Sequence, residues 1–210
     1  HELKELAHDN GAVFILDEMI TGFRWHLGGA QKKYDIVPDL SAFGKALGNG
    51  FAVSALAGKR DIMELGGLDH AKERVFLLSA THGAENHALA AAMATMKFYR
   101  ENPVVETLYA QGRRLAEGVN KASAALGLAD HVSVIGPDCC SVYTTRDEEG
   151  KPSQPFRTLF LQETMKRGLL MPSSIVSYAH TEADIDRTVE RVSEALVVYR
   201  KALDEGIGKY

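Results

Sequence analysis

The stretch FILDEMITGFRWHLGGAQKKYDIVPDLSAFGKALGNGFAVSALAGKRDIM, residues 14–63, carries the punctuation around which the whole chain can be organised. A short apolar run from Val13 to Leu16 stops at Asp17-Glu18, the pattern of a buried parallel strand. DIVPDLSAFGK points to a second strand over Leu40 to Phe43, and FAVSALAG to a third over Val53 to Ala57. Arg60 to Leu65 follows as a short helix. Upstream, HELKELAHDNG reads as the last turns of a helix closed by an Asn10-Gly11 turn. Downstream, Val75 to Leu78 reads as a further strand. The alanine-rich segment from Ala84 reads as a helix broken at Asn102-Pro103. Strands alternating with helices on short loops predict an α/β architecture with a mostly parallel sheet. A chain that opens inside a helix-to-strand crossover is expected to be the later part of a longer polypeptide.

The pattern changes after Pro103. Val104, Leu108, Leu115, Val119, Ala122 and Leu126 share one helical face. HVSVIG and CSVYTT are strand-like runs separated by Gly136-Pro137, DEEGKPSQP is a polar loop, and Arg157 to Arg167 is a helix. Thr181 with Asp184 three residues on is a capping-box variant, followed by Ile185, Val189, Val192, Leu196, Tyr199 and Leu203 at steps of four and three. The expected division is therefore 1–100, part of a large domain, and 101–210, a small α+β domain.

Composition narrows the function classes. With 45% hydrophobic and 25% charged residues and a net charge of -4, the chain has the balance of a globular protein and no electrostatic case for nucleic acid. No apolar run reaches the length of a membrane span. The two cysteines, Cys139 and Cys140, are adjacent and read as buried thiols in a reducing, cytoplasmic setting. His82 and His87 lack the spacing of a zinc motif, so no metal is expected, and neither glycine fingerprint of nucleotide binding occurs.

Two residues stand out. Asp17 closes one expected strand and Lys45 follows the next, at the strand ends where open α/β sheets bind ligands. Each alone fits a solvated turn charge, and together they fit a salt bridge. They also fit the pair that pyridoxal phosphate requires, a carboxylate against its pyridinium nitrogen and a lysine for its aldehyde. Gly44, Gly48 and Gly50 would let backbone approach such a cofactor closely. Arg24 fits either recognition of a substrate carboxylate or a structural ion pair.

The ordered series GFR, GGAQ, PDL and GK within residues 14–63, continuing through SATHGAENHALAAAMATM and AHTEADIDRTVE, resembles the class III pyridoxal-phosphate aminotransferases, especially their glutamate-1-semialdehyde aminomutase branch. The resemblance implies fold-type I: part of the large domain plus the C-terminal small domain. It implies that Asp17 pairs with the pyridinium nitrogen and Lys45 bonds the cofactor covalently and moves protons. Met19, where the family more often has valine, would pack on the ring face. Thr81 would bind the cofactor phosphate from a neighbouring subunit, so a homodimer is implied. The expected activity is transfer of an amino group from an amino-acid donor, glutamate by family habit, to an aldehyde or ketone acceptor. Asn49 and Ala52 replace the usual glycine and proline without touching Asp17 or Lys45. MPSSIVSYAHT is shorter than in the aminomutases and lacks their acid. It favours a two-substrate transaminase, with a sugar or ulosonate aldehyde of polysaccharide assembly as acceptor, over glutamate-1-semialdehyde 2,1-aminomutase. Outside enzymes, the alternative is a catalytically incomplete fragment or interaction module of this fold.

Overall fold

In the computed structural model, which describes residues 1–73, 83 and 85–210, the apolar run after Gly11 becomes strand β1 (Ile15–Asp17). Pairing starts two residues later than the apolar pattern suggests, because the backbone of Phe14 is engaged elsewhere. Its N–H donates to Asp39 Oδ2 at 2.7 Å and its carbonyl accepts from the N–H groups of Asp39 and Leu40. Leu40–Phe43 forms β2, parallel to β1 in the register Ile15 to Leu40, Leu16 to Ser41 and Asp17 to Ala42. Parallel neighbours need a long crossover, and residues 18–39 supply it, including the short helix α2 (Gly29–Lys33). The connection 44–54 makes no such crossover, so β3 (Ala55–Gly58) returns antiparallel to β2, and the described sheet is mixed. Helix α1 (Glu2–Asp9) precedes the sheet, and α3 (Arg60–Met63) and α4 (Asn86–Glu101) follow it. The strand expected over Val75 to Leu78 lies outside the described residues.

These elements make one compact unit, His1–Val105. Side chains alternate across a strand, so Leu16, Ser41, Phe43, Ala55 and Ala57 share one sheet face. From it Phe43 enters a small core with Phe23, Leu47 and Ala92. Phe23 packs edge-on against Phe43 and Tyr99, ring centroids 6.4 and 5.5 Å away, a favoured aromatic geometry. Alanines 88 and 92 are the buried positions of α4. At the opposite end of the strands Asp39, buried, accepts from His8 Nε2 at 2.8 Å and Lys59 Nζ at 2.7 Å as well as from Phe14. It thereby ties α1, the start of β1 and the end of β3 together. The Lys59 ammonium, then the Phe14 N–H and His8, hold the Asp39 carboxyl well below the usual carboxylate range.

The second unit, Glu106–Tyr210, contains all but the first two residues of the long helix α5 (Val104–Ala125) and the whole of α7 (Glu182–Glu205), with α6 (Gln154–Lys166) and a minimal antiparallel pair, β4 (Val134–Ile135) and β5 (Val142–Tyr143). The expected apolar faces are the buried ones: Leu108, Leu115 and Val119 on α5, and Ile185, Val192, Leu196 and Tyr199 on α7. The strand pair is shorter than its apolar runs because Gly136-Pro137 and a 3₁₀ turn at Asp138–Cys140 interrupt it. Helix α6 begins three residues before the expected Arg157, since Ser153 caps it and Pro155 occupies its first turn. The capping box of Thr181 and Asp184 forms as its sequence indicates. Cys139 is buried and Cys140 half-buried, and neither is disulfide-bonded. Among the described residues no helix is long and apolar enough to cross a membrane.

Arg114 on α5 joins α7 by two parallel bonds to Asp186, 2.7 Å each, and one to Glu182 at 3.0 Å. On α6 the buried Glu163 accepts from Lys166 Nζ at 2.6 Å and Arg167 Nη1 at 2.8 Å. Burial alone would raise the Glu163 carboxyl, but the two cations and Gln162 outweigh it and leave it at about 2. A depressed carboxyl contributes stability above its unfolded value, near 4.5, that is lost as pH falls toward 2. Chemical denaturation across that window should show a steep acid loss, and Glu163→Gln should flatten it.

Gly112 on α5 faces the backbone of Asp138: a Cβ there would overlap the Asp138 carbonyl oxygen and stand 2.6 Å from its carbon. Glycine to alanine normally stabilises a helix by up to about 1 kcal/mol. Here the sign should reverse, with Gly112→Ala lowering stability by about 1–3 kcal/mol, measurable as a fall in melting temperature.

Candidate functional site

Because β1 and β2 are parallel neighbours in register, Asp17 and the Gly44-Lys45 segment leave the sheet at the same, carboxyl, end. Asp17 is exposed, and its Oδ1 accepts the Met19 N–H at 2.9 Å, which bends the chain into a turn. Its Oδ2 takes no hydrogen bond among the described residues. Lys45 is exposed too and opens a single 3₁₀ turn, Lys45–Leu47, held by the Leu47 N–H on the Gly44 carbonyl at 2.9 Å. Leu47 is buried and pins that turn to the core. Among the described residues the Lys45 ammonium makes no hydrogen bond or ion pair, so the acid and the amine are not a salt bridge.

Lys45 has φ +44°, in the left-handed region that a residue with a long side chain rarely enters. Such backbone costs on the order of 1–3 kcal/mol and persists where surrounding structure over-determines it. Of the neighbouring glycines, Gly50 at φ +113° uses glycine's conformational freedom, whereas Gly44 at φ -171° and Gly48 at φ -90° lie outside that region. At Gly44 and Gly48 the missing side chain leaves space that neighbouring atoms fill. A Cβ on Gly48 would be 2.6 Å from Val53 Cγ1 and would collide with the Phe51 carbonyl. A Cβ on Gly44 would collide with Met19 Cε and stand 2.7 Å from its Sδ. The chain itself occupies the room that glycine leaves. Asp17, Met19 and Lys45 are thus linked through one short path of contacts, whereas Thr81 and His82 lie outside the described residues.

Sequence reasoning passed over Glu18. Strand alternation sends its side chain opposite to that of Asp17, and it is fully buried. Its Oε1 accepts the Gln31 N–H at 2.7 Å; its Oε2 accepts the Ala30 N–H at 2.8 Å and the Thr21 hydroxyl. Gly29, at φ +78°, passes so close that a Cβ would stand 2.5 Å from the Glu18 carboxyl carbon. The carboxylate therefore fastens the far part of the crossover to the end of β1. The signal lay in the Gly28-Gly29 pair opening a helix a dozen residues downstream, and only the fold identifies its acceptor. Arg24 is half-buried, and its charge partly offsets the burial that raises the Tyr99 phenol. His87 lies 3.4 Å from Glu85 and against the Phe51 ring, and no group of three metal-ligating side chains occurs among the described residues.

Glu18→Gln is not conservative at this site. Both carboxylate oxygens accept a backbone N–H, so either orientation of the amide faces donor against donor. Leaving buried donors unpaired costs about 1–3 kcal/mol. The urea midpoint of the variant should fall accordingly, and Glu18→Ala should not be markedly worse.

Comparison with known proteins identifies the family. The family model described as Aminotransferase class-III matches residues 1–206. The chain is 31% identical over 204 residues to the 3-aminobutyryl-CoA aminotransferase of Cloacimonas acidaminovorans (strain Evry), a match covering 96% of this chain and 47% of that protein. It is 32% identical to the glutamate-1-semialdehyde 2,1-aminomutase of Halobacterium salinarum (strain ATCC 29341 / DSM 671 / R1), covering 93% and 51% respectively. Among solved structures, the PLP internal aldimine form of the Sphingopyxis sp. MTA144 FumI protein superposes with a TM-score of 0.82 at 25% identity, over 96% of this chain and 47% of that one. An omega-transaminase from Sphaerobacter thermophilus shares the fold at a TM-score of 0.79 and 24% identity, over 95% and 47%. The chain spans about half the length of the curated relatives it matches.

Proposed function

The chain belongs to the class III aminotransferase family, and from that premise we propose that it carries the lysine and the acid of a pyridoxal-phosphate transaminase site. The observation that carries this reading is an amine and a carboxylate oxygen, both unpaired among the described residues, at the same end of two parallel strands. The donor set fits the cofactor. Among the described residues Asp17 Oδ2 is open to a protonated ring nitrogen and Lys45 Nζ is free to bond an aldehyde, while Met19 would pack on the ring face. Thr81 completes the proposal as the phosphate ligand, contributed across a homodimer. When bound, pyridoxal phosphate supplies the electron sink that lets an amino group pass from an amino acid to a carbonyl compound. Lys45 holds the cofactor in place and, through Nζ, takes and returns the proton of the substrate carbon. Asp17 keeps the proton on the ring nitrogen by its fixed negative charge.

The donor we propose is an amino acid, and the acceptor an aldehyde or ketone. The relatives' names support β-amino acyl thioester and amino-semialdehyde chemistry; they give the expected sugar or ulosonate acceptor no support. The aminomutase is a second reading, favoured by the relatives of that name. The acid-free segment 172–180 supports the transaminase instead.

Reaction of the purified protein with pyridoxal phosphate, borohydride reduction and peptide mapping test the site. We expect a visible band and a pyridoxyl adduct on Lys45. In Lys45→Ala the adduct should be absent and amino transfer lower by about a thousandfold or more. A protein that stays colourless and unmodified would overturn the reading and leave the incomplete module. Conversion of glutamate 1-semialdehyde without an added amino acceptor would favour the aminomutase.

A further inference from the structure

Met19 touches both halves of the site at once. Its backbone N–H bonds Asp17 Oδ1 at 2.9 Å, and the end of its side chain rests on Gly44, the residue before Lys45. Gly44 has extended backbone that any residue adopts, so its lack of a side chain serves only to admit the Met19 thioether. The next residue holds the unfavourable φ of +44°. The 3₁₀ turn that follows is anchored from the other side by buried Leu47. Lys45 is therefore gripped between a core anchor after it and the methionine before it.

We infer that Met19 is a positioning residue for Lys45: its thioether, seated on Gly44, is the wedge that holds the lysine in its left-handed conformation and ties its setting to the Asp17 turn. Methionine suits this role because it is unbranched and fills an irregular gap. Valine at this position, ending at its γ-carbons, lacks the Sδ and Cε that make the contact. The inference rests on the assignment of Lys45 as the cofactor lysine.

The test is a double-mutant cycle on the pyridoxal-phosphate-loaded protein, using Met19→Ala, Gly44→Ala and the pair together, with Met19→Val as the mild variant. The readouts are the pH midpoint of the visible band of the lysine-bound cofactor, the cofactor dissociation constant and the melting temperature. We expect each single variant to move the midpoint by about half a pH unit or more, the size of an ordinary environmental shift, and to weaken cofactor binding several-fold. In Met19→Ala the melting temperature should change little, because Met19 is only half-buried. The double variant should return toward wild type, since the new methyl fills the volume the thioether leaves, a coupling that independent sites do not show. Unchanged midpoints in the single variants, or losses that simply add in the double, would overturn the inference while leaving Lys45 in its role. A wild-type protein without a visible band would sink both together.

Discussion

The crossover between β1 and β2 depends on one buried carboxylate. Among the described residues Glu18 has no cation beside it; it is satisfied by two backbone N–H groups at the start of α2 and the hydroxyl of Thr21. Burying an ionised group is tolerable only when such donors replace its water. In return the segment from Thr21 to Gln31 is bound to the end of β1, and the chain is delivered back to pair β2 parallel to it. The parallel register then puts the ends of both strands, and so Asp17 and Lys45, on one side of the sheet.

The carboxylates of the chain separate into engaged and open ones. Asp39 holds two side chains and a backbone N–H, Glu163 holds Lys166 and Arg167, and Asp186 takes both arms of Arg114. Each is an internal fastening. Asp17 differs: among the described residues it bonds only the N–H two residues ahead, and its other oxygen takes no bond. Lys45 differs from Lys59 and Lys166 in the same way. Among the described residues Lys45 has no partner, so nothing its side chain bonds offsets the cost of its backbone angle.

Much of this was legible along the chain. The strand at Leu40–Phe43, the alanine-rich helix, the faces of α5 and α7 and the box at Thr181 follow from apolar periodicity and capping chemistry, which act over a few residues. The places that escaped were those where a distant group intervenes. β1 starts late because Asp39 claims the backbone of Phe14, and α6 starts early because Ser153 and Pro155 form a cap inside what reads as a polar loop.

The sequence by itself determined which residues could carry chemistry: a strand ending in an acid, a lysine after the next strand, glycines around it, and a series of motifs shared with the class III aminotransferases. The tertiary structure decided how those residues are used. It directed Asp17 outward and Glu18 inward, showed that the acid and amine do not neutralise each other, and set Gly44 and Gly48 against Met19, Phe51 and Val53. The physical reason is range. Periodicity and capping act between near neighbours, whereas burial of a carboxylate or collision with a glycine depends on chain that returns from far along the sequence.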